Sequence, residues 1–139
     1  MEKIFYIDSN IFIFAYSDYS NIGVICRKIL HMIINSKITS FTSILTFDEI
    51  FYKITKLKDR ETALIIIESF LNLKNLNFIE VNLNTINYSL SLLKNYNLKP
   101  RDAIHLACAL NKNIKNIISN DKDFDNVKEI KRYDIKGFN

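Results

Sequence analysis

Four acidic residues in this chain of 139 fall where chemistry could be done: Asp8, Glu49, Asp102 and Asp121. Asp8 ends the short apolar run Ile4–Ile7, and Asp121 follows Ile117, Ile118 and Ser119. Short β-rich apolar runs read as buried strands, so both carboxylates sit at strand carboxyl ends, where parallel α/β sheets bind ligands. Asp102 lies two residues past Pro100 in the first turn of a helix, and Glu49 lies within a helix over 44–57. Singly, each acid has a structural explanation. Asp8 suits a helix cap, Asp102 a partner for the helix dipole, Glu49 a solvated helix surface and Asp121 a turn. Jointly they imply more. Two unit charges roughly 4 Å apart repel by about 4 kcal/mol at an effective dielectric near 20, so four acids converging on one rim call for a cation. Hard oxygen ligands favour Mg²⁺ or Mn²⁺ over zinc.

Other chemistries fit less well. Phosphate-cradling glycine loops are absent, since the only glycines are Gly23 and Gly137. A phospho-aspartate mechanism would want a second aspartate two residues after Asp8, where Asn10 stands. Of the two histidines, His31 falls on a helix surface, and His105, one turn past Asp102, reads as structural. Cys26 and Cys108 sit in apolar helical settings and read as buried reduced thiols with no zinc-type spacing. The net charge of +4 suits a polyanionic partner without requiring one. The apolar N-terminus, broken by Asp8 and Asn10, reads as strand and turn rather than as a signal peptide. No apolar run is long enough to cross a bilayer, and a cytoplasmic location with no membrane partner is expected.

The elements that must position these acids follow from periodicity. Strands are expected over 4–7, 38–42, 78–81 and 114–119, with a weaker fifth over 129–133; Ser9 is placed to cap a helix after the first. Helices are expected over 21–35, 44–57, 61–73, 85–96 and 100–111, the last opened by Pro100. Strands alternating with helices predict a single α/β domain over 1–139, a three-layer α/β/α sandwich around a parallel sheet of four to five strands.

The motifs carrying the acids resemble those of the PIN-domain ribonuclease family. Tyr6-Ile-Asp8-Ser-Asn10 is similar to its opening motif, and Thr46-Phe-Asp-Glu49-Ile50 to the helix bearing its glutamate. Lys99-Pro-Arg-Asp102-Ala-Ile-His105-Leu-Ala107 and Ser119-Asn-Asp121-Lys-Asp123-Phe124 resemble its third and fourth motifs and are the more specific pair. A bare chain of this length is most like the single-domain VapC-type toxins.

The resemblance implies catalytic, metal-binding roles for Asp8, Glu49, Asp102 and Asp121, with Asp123 as a more variable fifth ligand. Asn10 and Ser119 match supporting polar positions, and His105 and Phe124 structural ones. Helical angle alone leaves Asp48 and Glu49 as alternatives; the motif selects Glu49. Asp125 matches nothing and reads as solvated surface. The implied activity is Mg²⁺- or Mn²⁺-dependent cleavage of single-stranded RNA with one or two ions, leaving 5′-phosphate and 3′-hydroxyl ends. Lys99, Arg101 and Lys122 could meet the RNA backbone or be plain surface charge, and Tyr16 and Tyr19 could stack on bases or pack at the rim. A homodimer and an antitoxin protein are the implied partners. A housekeeping RNA-processing nuclease shares the chemistry, and a non-catalytic RNA- or protein-binding module shares the fold.

Overall fold

Side-chain alternation along the first strand organises the molecule, whose computed structural model describes residues 3–139. In β1 (Ile4–Ile7), Phe5 and Ile7 enter one hydrophobic cluster and Tyr6 enters the other, on the opposite face of the sheet. β2 (Thr39–Ser43) and β4 (Asn116–Ile118) flank it, and β3 (Leu76–Ile79) and β5 (Lys131–Tyr133) form the edges. The order is β3-β2-β1-β4-β5, and every pairing is parallel.

Four helices cover the Phe5/Ile7 face: α1 (Ser9–Ser17), α2 (Asn21–Ile34), α3 (Leu45–Leu57) and α4 (Arg60–Leu71). Their inward stripes supply Ile11 and Phe12, Ile29 and Ile33, Ile50 and Ile54, and Phe70. Two helices cover the Tyr6 face: α5 (Leu83–Asn95) and α6 (Pro100–Asn111), contributing Leu92, Ala103 and Leu106. The result is the expected three-layer α/β/α sandwich, with all five strands present. Among the described residues no helix is long and apolar enough to cross a membrane.

Differences from the sequence expectation have local causes. Asp8, rather than Ser9, caps α1: its Oδ1 accepts the Ser9 N–H at 2.8 Å, so Ser9 is already inside the helix. α5 starts at Leu83 because Asn82 and Thr85 form a reciprocal capping box. The fourth strand is shorter than its apolar run because the Ile114 N–H bonds back to the Ala109 carbonyl of α6 before the ladder begins. The third lies two residues earlier, its ladder running from Leu76 opposite Ser40 to Ile79 opposite Ser43.

Gly23 fixes the approach of α1 to α2. A Cβ there would lie 1.8 Å from the Asp18 carbonyl oxygen, a backbone atom that also accepts from Arg27 Nη1 at 2.8 Å. Alanine's helix propensity would add about 0.5–1 kcal/mol, but overpacking against backbone costs about 1–3 kcal/mol. Gly23→Ala is therefore expected to lower the unfolding midpoint followed by circular dichroism. An unchanged or raised midpoint would contradict this packing.

Candidate metal centre

β1 and β4 are neighbours from which the sheet extends in opposite directions, which makes their carboxyl ends the switch point of the fold. The Asp8 N–H donates to the Ile118 carbonyl at 3.1 Å, carrying the pairing one step past the strand and setting Asp8 beside Ser119. Asp8 Oδ2 accepts from Ser119 Oγ at 2.5 Å and from Asn10 Nδ2 at 3.3 Å. Ser119 Oγ in turn accepts the Asp121 N–H at 2.9 Å. Asp121 Oδ1 accepts the Asp123 N–H at 2.9 Å and so opens a short 3₁₀ helix over Lys122–Asn126. One serine hydroxyl thus ties the first acidic motif to the fourth.

Glu49 comes from α3, where it lines the cleft while Asp48 is exposed and does not. Asp102 comes from the first turn of α6, after Pro100. These elements enclose a cleft of about 660 Å³ lined by Asp8, Asn10, Glu49, Lys99, Arg101, Asp102 and Asp121. Asp102, Asp121 and Asp123 each offer an oxygen within 4.8 Å of the others. Asp102 Oδ2 is buried and has no hydrogen-bond partner among the described residues, an uncommon and costly condition for a carboxylate. Three hard oxygen donors, one of them from a carboxylate with an orphaned oxygen, fit a divalent cation such as Mg²⁺ or Mn²⁺. Asp8 and Glu49 share the cleft, although each is also held by neighbouring side chains.

His105, read from the sequence as structural, lies against the acids. It is fully buried beneath the carboxylates, with Nε2 bonded to Glu49 Oε1 and 3.8 Å from Asp8 Oδ1. Its Nδ1 is 2.6 Å from the Tyr6 hydroxyl. Only the helical spacing from Asp102 hinted at this, because Tyr6 and Glu49 are remote in sequence. Arg132 and Asp125 were likewise not legible. Arg132 Nη1 donates to the Ser119 carbonyl at 3.0 Å, while Nε and Nη2 grip Asp125 Oδ1 and Oδ2 at 2.9 and 3.1 Å. Asp125, read as plain solvated surface, therefore anchors the arginine that holds the Ser119 turn. Tyr19 is 84% exposed, its hydroxyl 3.5 Å from Lys58 Nζ, and Tyr16 is half-buried against the core. Lys99, Arg101 and Lys122 are exposed, and the first two line the cleft.

Crowded carboxylates hold protons. Burial, then the negative charges of Asp8 and Asp121, pushes the Asp102 carboxyl up to about 7. Burial also raises Asp8, against the pull of His105 and Ser119. For His105, burial acts downward, but the Glu49 hydrogen bond and the charges of Asp8, Glu49 and Asp102 outweigh it and raise its pKa. In all three the folded value lies above the ordinary one, so the stabilisation is full at low pH. It is lost as pH rises through the folded value, for Asp102 between 3.8 and about 7. Asp18, Asp59 and Asp125 are lowered and act below that window. In EDTA the unfolding midpoint is expected to fall between about pH 4.5 and about pH 7.5, and Mn²⁺ should restore it most at the upper end. Asp102→Asn should flatten the profile, and a wild-type midpoint that rises with pH would overturn this account.

The PIN domain family profile matches residues 5–130, a span that includes all five acids. Comparison with curated proteins gives no significant match. Among solved structures, VapBC2 from Rickettsia felis, bound to a promoter DNA fragment, has a chain that aligns with TM-score 0.73 at 18% identity, covering 94% of this chain and 98% of that one. VapC20 from Mycobacterium tuberculosis, described as a sarcin-ricin loop cleaving toxin, aligns with TM-score 0.74 at 14% identity over 88% and 93%. DNA-bound VapBC from Salmonella typhimurium gives 0.71 at 18% identity over 97% and 99%. At such identities these likenesses speak for the fold, while the family profile spans most of the sequence: the chain belongs to the PIN domain family.

Proposed function

We propose that the chain is a metal-dependent endoribonuclease that cleaves single-stranded RNA and serves as the toxin of a toxin–antitoxin pair. The observation that carries this reading is the buried, unpartnered Asp102 Oδ2 in a cleft where Asp121 and Asp123 offer oxygens within 4.8 Å. Support for RNA as the substrate comes from membership of the PIN family and from the fold shared with a toxin described as cleaving the sarcin-ricin loop. The toxin role draws on the likeness to toxin–antitoxin complexes.

In this reading Asp8, Glu49, Asp102, Asp121 and Asp123 are the groups that hold one or two Mg²⁺ or Mn²⁺ ions. Bound there, the metal supplies Lewis acidity to the scissile phosphodiester and lowers the pKa of an attacking water. The chain's own residues position and neutralise. Lys99 and Arg101, exposed at the start of α6 and lining the cleft, draw in the RNA backbone. No thiol is available as a nucleophile: burial pushes Cys26 up to about 12 and Cys108 up to about 11. Free, buried thiols also accord with the proposed cytoplasmic location.

The partners proposed with this reading are a second copy of the chain and an antitoxin that covers the cleft. Exposed apolar side chains such as Phe47, Ile65, Leu83 and Leu90 leave surface for protein contacts. Light scattering at micromolar concentration is expected to read a dimer, and a monomeric mass would remove the homodimer.

Incubation with labelled single-stranded RNA tests the activity. Cleavage is expected in Mn²⁺ or Mg²⁺ and not in EDTA. Asp102→Asn should reduce the rate by at least about 100-fold, beyond the 10–100-fold ordinarily lost with an outer-shell partner. Equal behaviour of wild type and variant across several RNAs, with no metal binding by calorimetry, would leave a binding module in place of the nuclease.

A further inference from the structure

We propose that His105 is a positioning residue that fixes the orientation of Glu49 and is itself held from behind by Tyr6; this rests on the metal-dependent reading of the cleft. The backbone N–H of Ser43 donates to the Tyr6 hydroxyl oxygen at 3.1 Å. That leaves the hydroxyl proton of Tyr6 to donate to His105 Nδ1, 2.6 Å away. With Nδ1 accepting, the ring proton is on Nε2, which donates to Glu49 Oε1. A doubly protonated ring aims the same Nε2 proton at Glu49, so the positioning does not depend on the charge of the imidazole.

Tyr6 and His105 are both fully buried, their rings edge-on at 5.6 Å, so neither can turn without disturbing the core. Glu49 is by contrast a long side chain with three rotatable bonds, reaching from α3 into the cleft. The relay selects one of its rotamers. It commits Oε1 to His105 and leaves Oε2 for a cation, as outer-shell partners of metal-binding carboxylates do. Tyr6 acts at one remove. Without its hydroxyl Nδ1 loses its partner and the ring its anchor from behind, although the Nε2 proton still faces the Glu49 carboxylate.

Mn²⁺ affinity measured by calorimetry on the intact chain tests this, with thermal melts run in parallel. His105→Leu is expected to weaken Mn²⁺ binding about 10–100-fold. His105→Gln, whose amide nitrogen reaches towards the place of Nε2, should recover part of that loss. Tyr6→Phe should weaken binding less, and ¹⁵N spectra of its imidazole should show Nδ1 without the hydrogen bond it makes in wild type. In a Glu49→Gln background, His105→Leu should add no further loss. Should His105→Leu fail to fold, His105→Gln and Tyr6→Phe decide the matter. Unchanged affinity in the His105 and Tyr6 variants, or an undiminished effect without Glu49, would overturn the positioning role while the metal reading stands. A folded wild type that binds no Mn²⁺ would overturn both.

Discussion

Repulsion among carboxylates at one edge of the sheet is the constraint the structure is built around. A pair of unit charges about 4 Å apart costs about 4 kcal/mol at an effective dielectric near 20, a large part of the 5–15 kcal/mol that holds a typical domain together. The chain meets this cost unevenly. Asp8, the most buried acid, receives donors from Ser9, Asn10 and Ser119 and has His105 within 3.8 Å. Glu49 is met by His105. At Asp102, whose Oδ2 is buried with no hydrogen-bond partner among the described residues, burial and the charges of Asp8 and Asp121 outweigh the pull of His105 and push the carboxyl up to about 7. The electrostatic deficit is therefore concentrated at one position rather than spread over the cleft. A cation held there, as proposed, would replace a proton and offset the charges of Asp121 and Asp123 at the same time.

Topology explains why so few residues suffice to set this up. Placing β4 beside β1 brings residue 8 next to residue 119, and the bond from the Asp8 N–H to Ile118 fixes their register. The period of two along β1 then divides the labour. Phe5 and Ile7 bind the strand to α1–α4, while Tyr6 turns to the α6 side and meets His105. A one-residue slip in β1 would exchange these faces, removing the support of His105 together with the packing of the core. The stability of the sheet and the geometry of the cleft rest on the same register.

How much of this the sequence revealed depends on the range of each interaction. All five strands, and the five helices given explicit bounds, were legible because hydrophobic periodicity is local. Asp8, Asp102 and Asp121 stood out because each stands beside such a landmark, after an apolar run, after Pro100 and after Ser119 respectively, whereas Glu49 and Asp123 came only through the family resemblance. Beyond Asn10 and Ser119, which the resemblance marked as supports, what sequence did not show is what holds the acids. Tyr6 and His105 are 99 residues apart, and His105 and Glu49 are 56 apart. Periodicity carries no information about either pairing. The grip of Arg132 on Asp125 and on the Ser119 carbonyl belongs to the same class, since it depends on where β5 lands beside β4.

The structural explanations of the acids, which look on the sequence like alternatives to a chemical role, are realised in ways that leave room for one. Asp8 does cap α1, Asp121 does open a 3₁₀ helix, and Asp102 does lie in the first turn of α6. In each capping contact one oxygen is spent on a local N–H, which fixes the plane of the carboxylate without consuming the whole group. Asp121 gives Oδ1 to Asp123 N–H, and Glu49 in the same manner gives Oε1 to His105, so the second oxygen of each is left to the cleft. A carboxylate oriented in this way loses little further rotamer freedom when it takes up a ligand, and the entropy of ordering it is met during folding rather than during binding. Asp102 completes the pattern from the other side. Placed by the first turn of α6, it brings to the cleft an oxygen with no hydrogen-bond partner among the described residues.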